Sequence, residues 1–133
     1  RIGIHPDEEG LALIRKILVL PALETEGIFT HFATADEADR TKAYQQMKLF
    51  QDYTDRICRE LKAEIPMKHC SNSAGIVEMP EANMDAVRAG IILYGLWPSQ
   101  EVKADEKIQL KPALSLKSRI VYVKTVPQGQ EIS

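Results

Sequence analysis

At 133 residues, 44% apolar and 27% charged, the chain is long enough to bury a core of its own and too apolar for a disordered tail. A formal charge of −2 with both signs mixed along the chain excludes a nucleic-acid partner held mainly by a broad basic surface. No apolar run reaches the length of a membrane span, since Ile14 to Leu23 is broken by Arg15, Lys16 and Pro21.

Asp7, followed by Glu8 and Glu9, is placed to cap a helix whose apolar positions Leu11, Ile14, Ile17 and Leu18 recur at helical spacing until Pro21. Gly27 to Phe32 is short, β-branched and aromatic, which predicts a buried strand. Thr34 to Glu37 turns the chain into a long helix, with Ala43, Met47, Phe50, Thr54, Ile57 and Leu61 along one face. Met67 to Cys70 is a second short strand. Ser71 to Gly75 is a loop feeding a brief helix that stops before Pro80, and Asp85 to Gly95 is a further strand with its exit. Alternating strands and helices with short connections imply parallel strands and crossover helices, hence an α/β fold.

The pattern changes near Leu110. Pro112 to Lys124 is strand-like with no helix after it, and Pro127-Gln128-Gly129-Gln130 turns it back toward Ile132, as in the opening hairpin of an antiparallel β domain. The polar, Pro-containing stretch Trp97 to Lys107 is expected to be a linker. Cys58 and Cys70 have no metal or redox spacing and are expected to be reduced thiols of a cytosolic protein. The chain opens on Arg1 and stops at Ser133 after a strand-like run, so it is expected to be an internal piece of a longer protein.

Chemistry in a parallel α/β protein gathers just past the C-terminal ends of strands, and three places qualify. His31, between Thr30 and Phe32, is by itself more simply a satisfied buried histidine than a catalyst. Ser71-Asn72-Ser73-Ala74-Gly75 can present hydroxyl, amide and backbone N–H donors to an anion, although a plain N-cap needs the same residue types and is the simpler reading. Arg88, in an apolar run, needs a partner: an ion pair and a bound ligand atom serve equally. Gly90 beside it permits close backbone approach or simply relieves packing. No phosphate-binding loop motif, dinucleotide fingerprint or zinc spacing is present, and His5, His31 and His69 are too dispersed to suggest a metal.

Taken together, Gly27 to Asp36, His69 to Ala74, Val87 to Gly95, and Lys111 to Ser118 running into Val126-Pro127-Gln128-Gly129 resemble the alanine racemase family in order and spacing. The resemblance implies the second half of a (β/α)8 TIM-type barrel over residues 1–105 and the first strands of an antiparallel C-terminal β domain over 106–133. It also implies pyridoxal 5'-phosphate as cofactor and a homodimeric, cytoplasmic bacterial isomerase that supplies D-alanine for peptidoglycan. By the same resemblance, Arg88 is the arginine that bonds the pyridine nitrogen and keeps it unprotonated. His31 lies beside the ring and links Arg88 to a catalytic tyrosine. His69 stands behind the same network. Asn72, Ser73, Gly90 and Ile91 form the phosphate side, and Arg1 approaches the phenolic oxygen and the substrate carboxylate.

The family's cofactor-bearing lysine is expected upstream of Arg1 and its catalytic tyrosine after Ser133, so the chain alone is expected to be inactive. Alternatives are a racemase for serine or another amino acid, and a non-catalytic phosphate-ligand-binding barrel fragment in which Arg88 serves only an ion pair.

Overall fold

The computed structural model describes residues 3–103 and 108–132. Arg1 and the expected domain boundary at 105/106 lie outside the described residues. The elements run α1 (Glu8–Leu18), β1 (Gly27–Phe29), α2 (Thr41–Leu61), β2 (Met67–His69), α3 (Ser73–Glu78), 3-10 turns at Pro80–Ala82 and Ile91–Tyr94, and α4 (Gln100–Lys103). The two strands are parallel, with Gly27, Ile28 and Phe29 in register with Met67, Lys68 and His69. The helix α2 is the crossover between them, so the chain is α/β as its alternating pattern predicts.

Local chemistry sets the helix ends. The Asp7 carboxylate accepts the Gly10 amide at 2.8 Å, which satisfies one of the first-turn N–H groups of α1. The helix α2 starts later than the Thr34–Glu37 turn suggests. Its side-chain cap comes from Asp39, whose carboxylate takes both the amide and the hydroxyl of Thr41. Its apolar stripe is buried as the spacing requires: Ala43, Phe50, Thr54 and Ile57 are inside, with Met47 and Leu61 packed at the margin. One cluster joins Phe32, Ala35, Ala43, Phe50, Cys70, Val77, Met79 and Val102 beneath α2 and α3. A second joins Leu11, Ile57 and Ile65 between α1 and α2, and Ile28 of β1 packs against both. Tyr53 Oη donates to the Asp7 carbonyl at 3.1 Å, and Arg56 pairs with Glu8, which seats α1 on α2.

Three expectations are corrected. Asp85 to Gly95 is not a strand. The Asp85 and Arg88 amides donate to the Lys68 and Ser71 carbonyls at 3.1 and 3.0 Å, so this segment runs beside β2 in the same direction. Its ladder is interrupted because the Lys68 amide bonds the Asp85 carboxylate instead of a main-chain carbonyl, and Ile91–Tyr94 coils into a 3-10 turn closed by left-handed Gly95. Trp97 to Lys107 is not simply a linker: Val102 of α4 is fully buried, and Ser99 Oγ donates to the Asp36 carbonyl at 2.7 Å. At Pro127–Gln130 the expected turn forms, with Gln130 N bonding the Pro127 carbonyl and Gly129 at φ +86°. The flanking residues form no strand among those described; Leu116, Val121 and Val123 stand exposed with nothing covering them. No helix of the described residues is long and apolar enough to cross a membrane.

Ile57, with no exposed surface at the α1–α2 contact, tests this packing. Ile57→Val should lower the urea-unfolding free energy by about 1 kcal/mol with an unchanged denaturant slope. An unchanged midpoint would show that this contact does not hold the two helices together.

Candidate active site at the ends of the parallel strands

Three segments converge where β1 and β2 end, and Arg88 joins them. Its Nη2 donates to the Thr30 carbonyl at 2.9 Å and the Cys70 carbonyl at 3.2 Å, the residues that directly follow β1 and β2. The same nitrogen lies 3.2 Å from His31 Nδ1, and Nη1 lies 2.6 Å from His69 Nδ1. The guanidinium carbon sits 5.0 Å from the Phe29 ring centre, and Phe29 stacks on the His69 imidazole at 5.2 Å.

The shorter of the two imidazole contacts fixes a proton. A guanidinium only donates, so the His69 imidazole, at 2.6 Å, must accept through Nδ1 and carry its hydrogen on Nε2. Burial, and then the Arg88 charge, hold the His69 pKa below its ordinary value, which favours that neutral form. Burial likewise lowers the Arg88 pKa, yet a guanidinium remains cationic at any physiological pH. Among the described residues Arg88 makes no ion pair, so the alternative that assigns it only to an ion pair fails. Its Nε–H also makes no hydrogen bond there. The result is a half-buried cation, braced by carbonyls and neutral imidazoles, with one donor to spare.

The second part of the site adjoins it. Asn72 caps α3, its Oδ1 accepting the Gly75 amide at 3.0 Å, so the N-cap reading holds for this residue. Ser73 Oγ instead accepts the Gly90 amide at 3.0 Å, which joins the start of α3 to the segment that carries Arg88. A Cβ on Gly90 would lie 3.5 Å from Ser73 Oγ and meet nothing else, so glycine leaves the space in front of that hydroxyl open. The Ile91 amide, first in its 3-10 turn, has no intrachain acceptor among the described residues. The Gly90 amide is spent on that hydroxyl oxygen, so the Ser73 O–H and the Ile91 amide, beside open space, are the donors that suit a phosphate.

The structure thus brings together His31, His69 and Arg88, and separately Ser73, Gly90 and Ile91, with Asn72 at the edge of the second group. Phe29, Thr30 and Gln46 are contacts that the sequence reading missed. Two of them act through a ring face or a main-chain carbonyl, which carry no motif. An apolar groove of about 380 Å³ between α1, β1 and α2 reaches this site at Phe29, Thr30 and Gln46 but has no carboxylate, imidazole or guanidinium on its walls.

A model of the family described as "Alanine racemase, N-terminal domain" matches residues 1–98. The alanine racemase of Desulforamulus reducens is 50% identical over the whole chain, which covers 35% of that protein. A structure titled alanine racemase from Clostridium difficile 630 in complex with cycloserine is 42% identical over 94% of the chain and 34% of its own, at TM-score 0.84. One titled alanine racemase from Bacillus anthracis with bound L-Ala-P is 35% identical over all of the chain and 34% of its own, at TM-score 0.85. The chain spans about a third of the length of the curated relatives it matches.

Because the His69 pKa is depressed in the fold, the unfolded chain binds more protons just below the ordinary imidazole value of 6.5. Stability contributed by neutral His69 is therefore present above that value and lost as pH falls through the folded one. Urea titrations should show this acid loss, and Arg88→Met should move the His69 midpoint upward in NMR titration. A midpoint unmoved by that substitution would separate the two residues electrically.

Proposed function

Since the chain belongs to the alanine racemase N-terminal domain family, we propose that it forms the cofactor-binding part of a pyridoxal-phosphate-dependent isomerase interconverting L- and D-alanine. The observation that carries this reading is the Arg88 guanidinium, braced by two imidazoles, without a carboxylate among the described residues and with its Nε–H unspent. Such a group suits a neutral aromatic nitrogen as acceptor. The Ser73 hydroxyl and the Ile91 amide suit the phosphate of the same molecule, toward which the Gly90 amide would turn from Ser73 Oγ, and Gly90 follows Arg88 by two residues.

When bound, the cofactor supplies an electron sink that makes the α-proton of an amino acid removable. Arg88 holds the pyridine nitrogen without giving it a proton, because guanidinium is far too weak an acid. This restrains electron withdrawal and with it side reactions. His31 and His69 hold the guanidinium from behind and keep it aligned. Ser73, Gly90 and Ile91 would anchor the phosphate, with Asn72 through its Nδ2, which has no hydrogen bond among the described residues, and Arg1 would serve the phenolic oxygen and the substrate carboxylate.

Residues 1–105 form the second half of a (β/α)8 barrel and 106–133 the start of a β domain. The parallel β1–β2 pair with its helical crossover supports the first assignment. The change of sequence pattern near Leu110, with Leu116, Val121 and Val123 left uncovered, supports the second. The lysine and tyrosine that exchange the proton come from outside these 133 residues. The active protein is a homodimer that supplies D-alanine in a bacterial cytoplasm.

In the longer protein that carries this sequence, Arg88→Lys should lower kcat for alanine racemisation by about 10²-fold, the usual loss when one preorganised donor is removed. It should also raise transamination as a side reaction. A stereospecific D-alanine assay reads the first and pyruvate release the second; undiminished turnover would refute the role given to Arg88. The 133 residues alone, supplied with pyridoxal phosphate, should show no turnover, and measurable racemisation would overturn the assignment of the proton-exchanging pair.

A further inference from the structure

We propose that Gln46 is a positioning residue that fixes His31 by clamping the turn around it. After Phe29 the chain leaves β1, and the Thr30 amide makes the last main-chain bond to the neighbouring strand segment, with the His69 carbonyl at 3.3 Å. Among the described residues no main-chain hydrogen bond holds His31, Phe32 or Ala33. The Gln46 side chain takes that place. Its Nε2 donates to Thr30 Oγ1 at 2.9 Å and to the His31 carbonyl at 2.8 Å, and its Oε1 accepts the Ala33 amide at 3.2 Å.

Those bonds use both ends of the amide and settle its orientation, since the reversed amide would set oxygen against the His31 carbonyl and nitrogen against the Ala33 N–H. The platform is rigid: Gln46 stands on α2 between buried Ala43 and Phe50. A side chain that bonds a histidine's own carbonyl and residues on both sides of it does what a strand ladder would otherwise do. It does so while leaving the imidazole itself free of the clamp.

Arg88 meets the clamped segment twice, at the Thr30 carbonyl, which the Thr30 amide bond to His69 also holds in place, and at the His31 ring, so the consequence falls mainly on the ring contact. Arg88 reaches His69 Nδ1 at 2.6 Å and the Cys70 carbonyl at 3.2 Å through residues at the end of β2, none of which Gln46 touches. The His31 Nδ1 contact, at 3.2 Å and exposed, is the one that depends on where the clamped turn places the ring. Loss of Gln46 should therefore release His31 and leave the Arg88–His69 pair in place. The bearing of this on catalysis rests on the proposed function, whereas the clamp itself does not.

The test uses imidazole nitrogen NMR on the full chain at about pH 8.5, above the histidine titration range, with Gln46→Ala and Gln46→Glu beside the parent sequence. In the parent both His31 and His69 should show an accepting Nδ1 and a protonated Nε2. In Gln46→Ala the His31 resonances should move to those of a solvated, tautomer-averaged imidazole while those of His69 stay. Gln46→Glu retains the acceptor for Ala33 and loses both donors, so His31 should lie between.

An unmoved His31 in Gln46→Ala overturns the proposal. Parallel movement of both imidazoles in the two variants also overturns it, because that is general loosening of the fold. In the longer, cofactor-loaded protein, Gln46→Ala should reduce kcat more than it changes KM for alanine. Absence of racemase activity in the parent sequence there would sink the proposed function and leave the NMR result standing.

Discussion

A guanidinium that crosses the ends of two parallel strands determines how this site is built. Arg88 satisfies its donors on the carbonyls of Thr30 and Cys70 and on the Nδ1 atoms of His31 and His69. Half-burying a cation is costly unless its hydrogen bonds are made, and here they are made without a carboxylate. That choice has a chemical consequence. A carboxylate partner would neutralise the group, whereas carbonyls and imidazoles support it and leave its charge available. The neutral His69 imidazole in turn requires the tautomer with hydrogen on Nε2, so Arg88 dictates where its neighbour carries its proton.

The same segment supplies the other half of the site. Two residues after Arg88, the Gly90 amide meets Ser73 Oγ, so the stretch that delivers the cation also closes the hydroxyl-and-amide cradle. The segment holds this position through main-chain bonds to Lys68 and Ser71, without becoming a strand. The departure from regular structure is useful: coiling into a 3-10 turn at Ile91–Tyr94 leaves the Ile91 amide unspent, where a continued ladder would have consumed it.

Much of the fold was legible because it rests on local rules. Asp7 and Asn72 cap the helices they precede, and the stripe from Ala43 to Leu61 is the buried face of α2. The β-branched and aromatic run at Gly27 is a parallel strand, though shorter and less buried than its composition predicts, with Phe29 exposed. What failed was decided by partners distant in sequence. The apolar run Val87 to Leu93 reads as a strand, but its ladder is broken by the Asp85 carboxylate, which no periodicity encodes. Polar Ser99 to Lys103 reads as a linker because its one buried anchor, Val102, makes no pattern by itself.

The site followed the same division. Arg88 stood out because a cation in an apolar run needs a partner, whereas His31 and Ser73 read alone as an ordinary buried histidine and a helix cap and were joined to it by the family resemblance. Gln46 did not, since a glutamine on a helix is ordinary until the main chain it serves is known. The account as a whole depends on what the spare Arg88 donor faces. A crystal structure of the longer protein with pyridoxal phosphate bound measures that directly. The expected result is Arg88 Nε within hydrogen-bonding distance of the pyridine nitrogen, with the phosphate on Ser73, Gly90 and Ile91. A pyridine nitrogen held by a carboxylate, or a phosphate bound elsewhere, would contradict it.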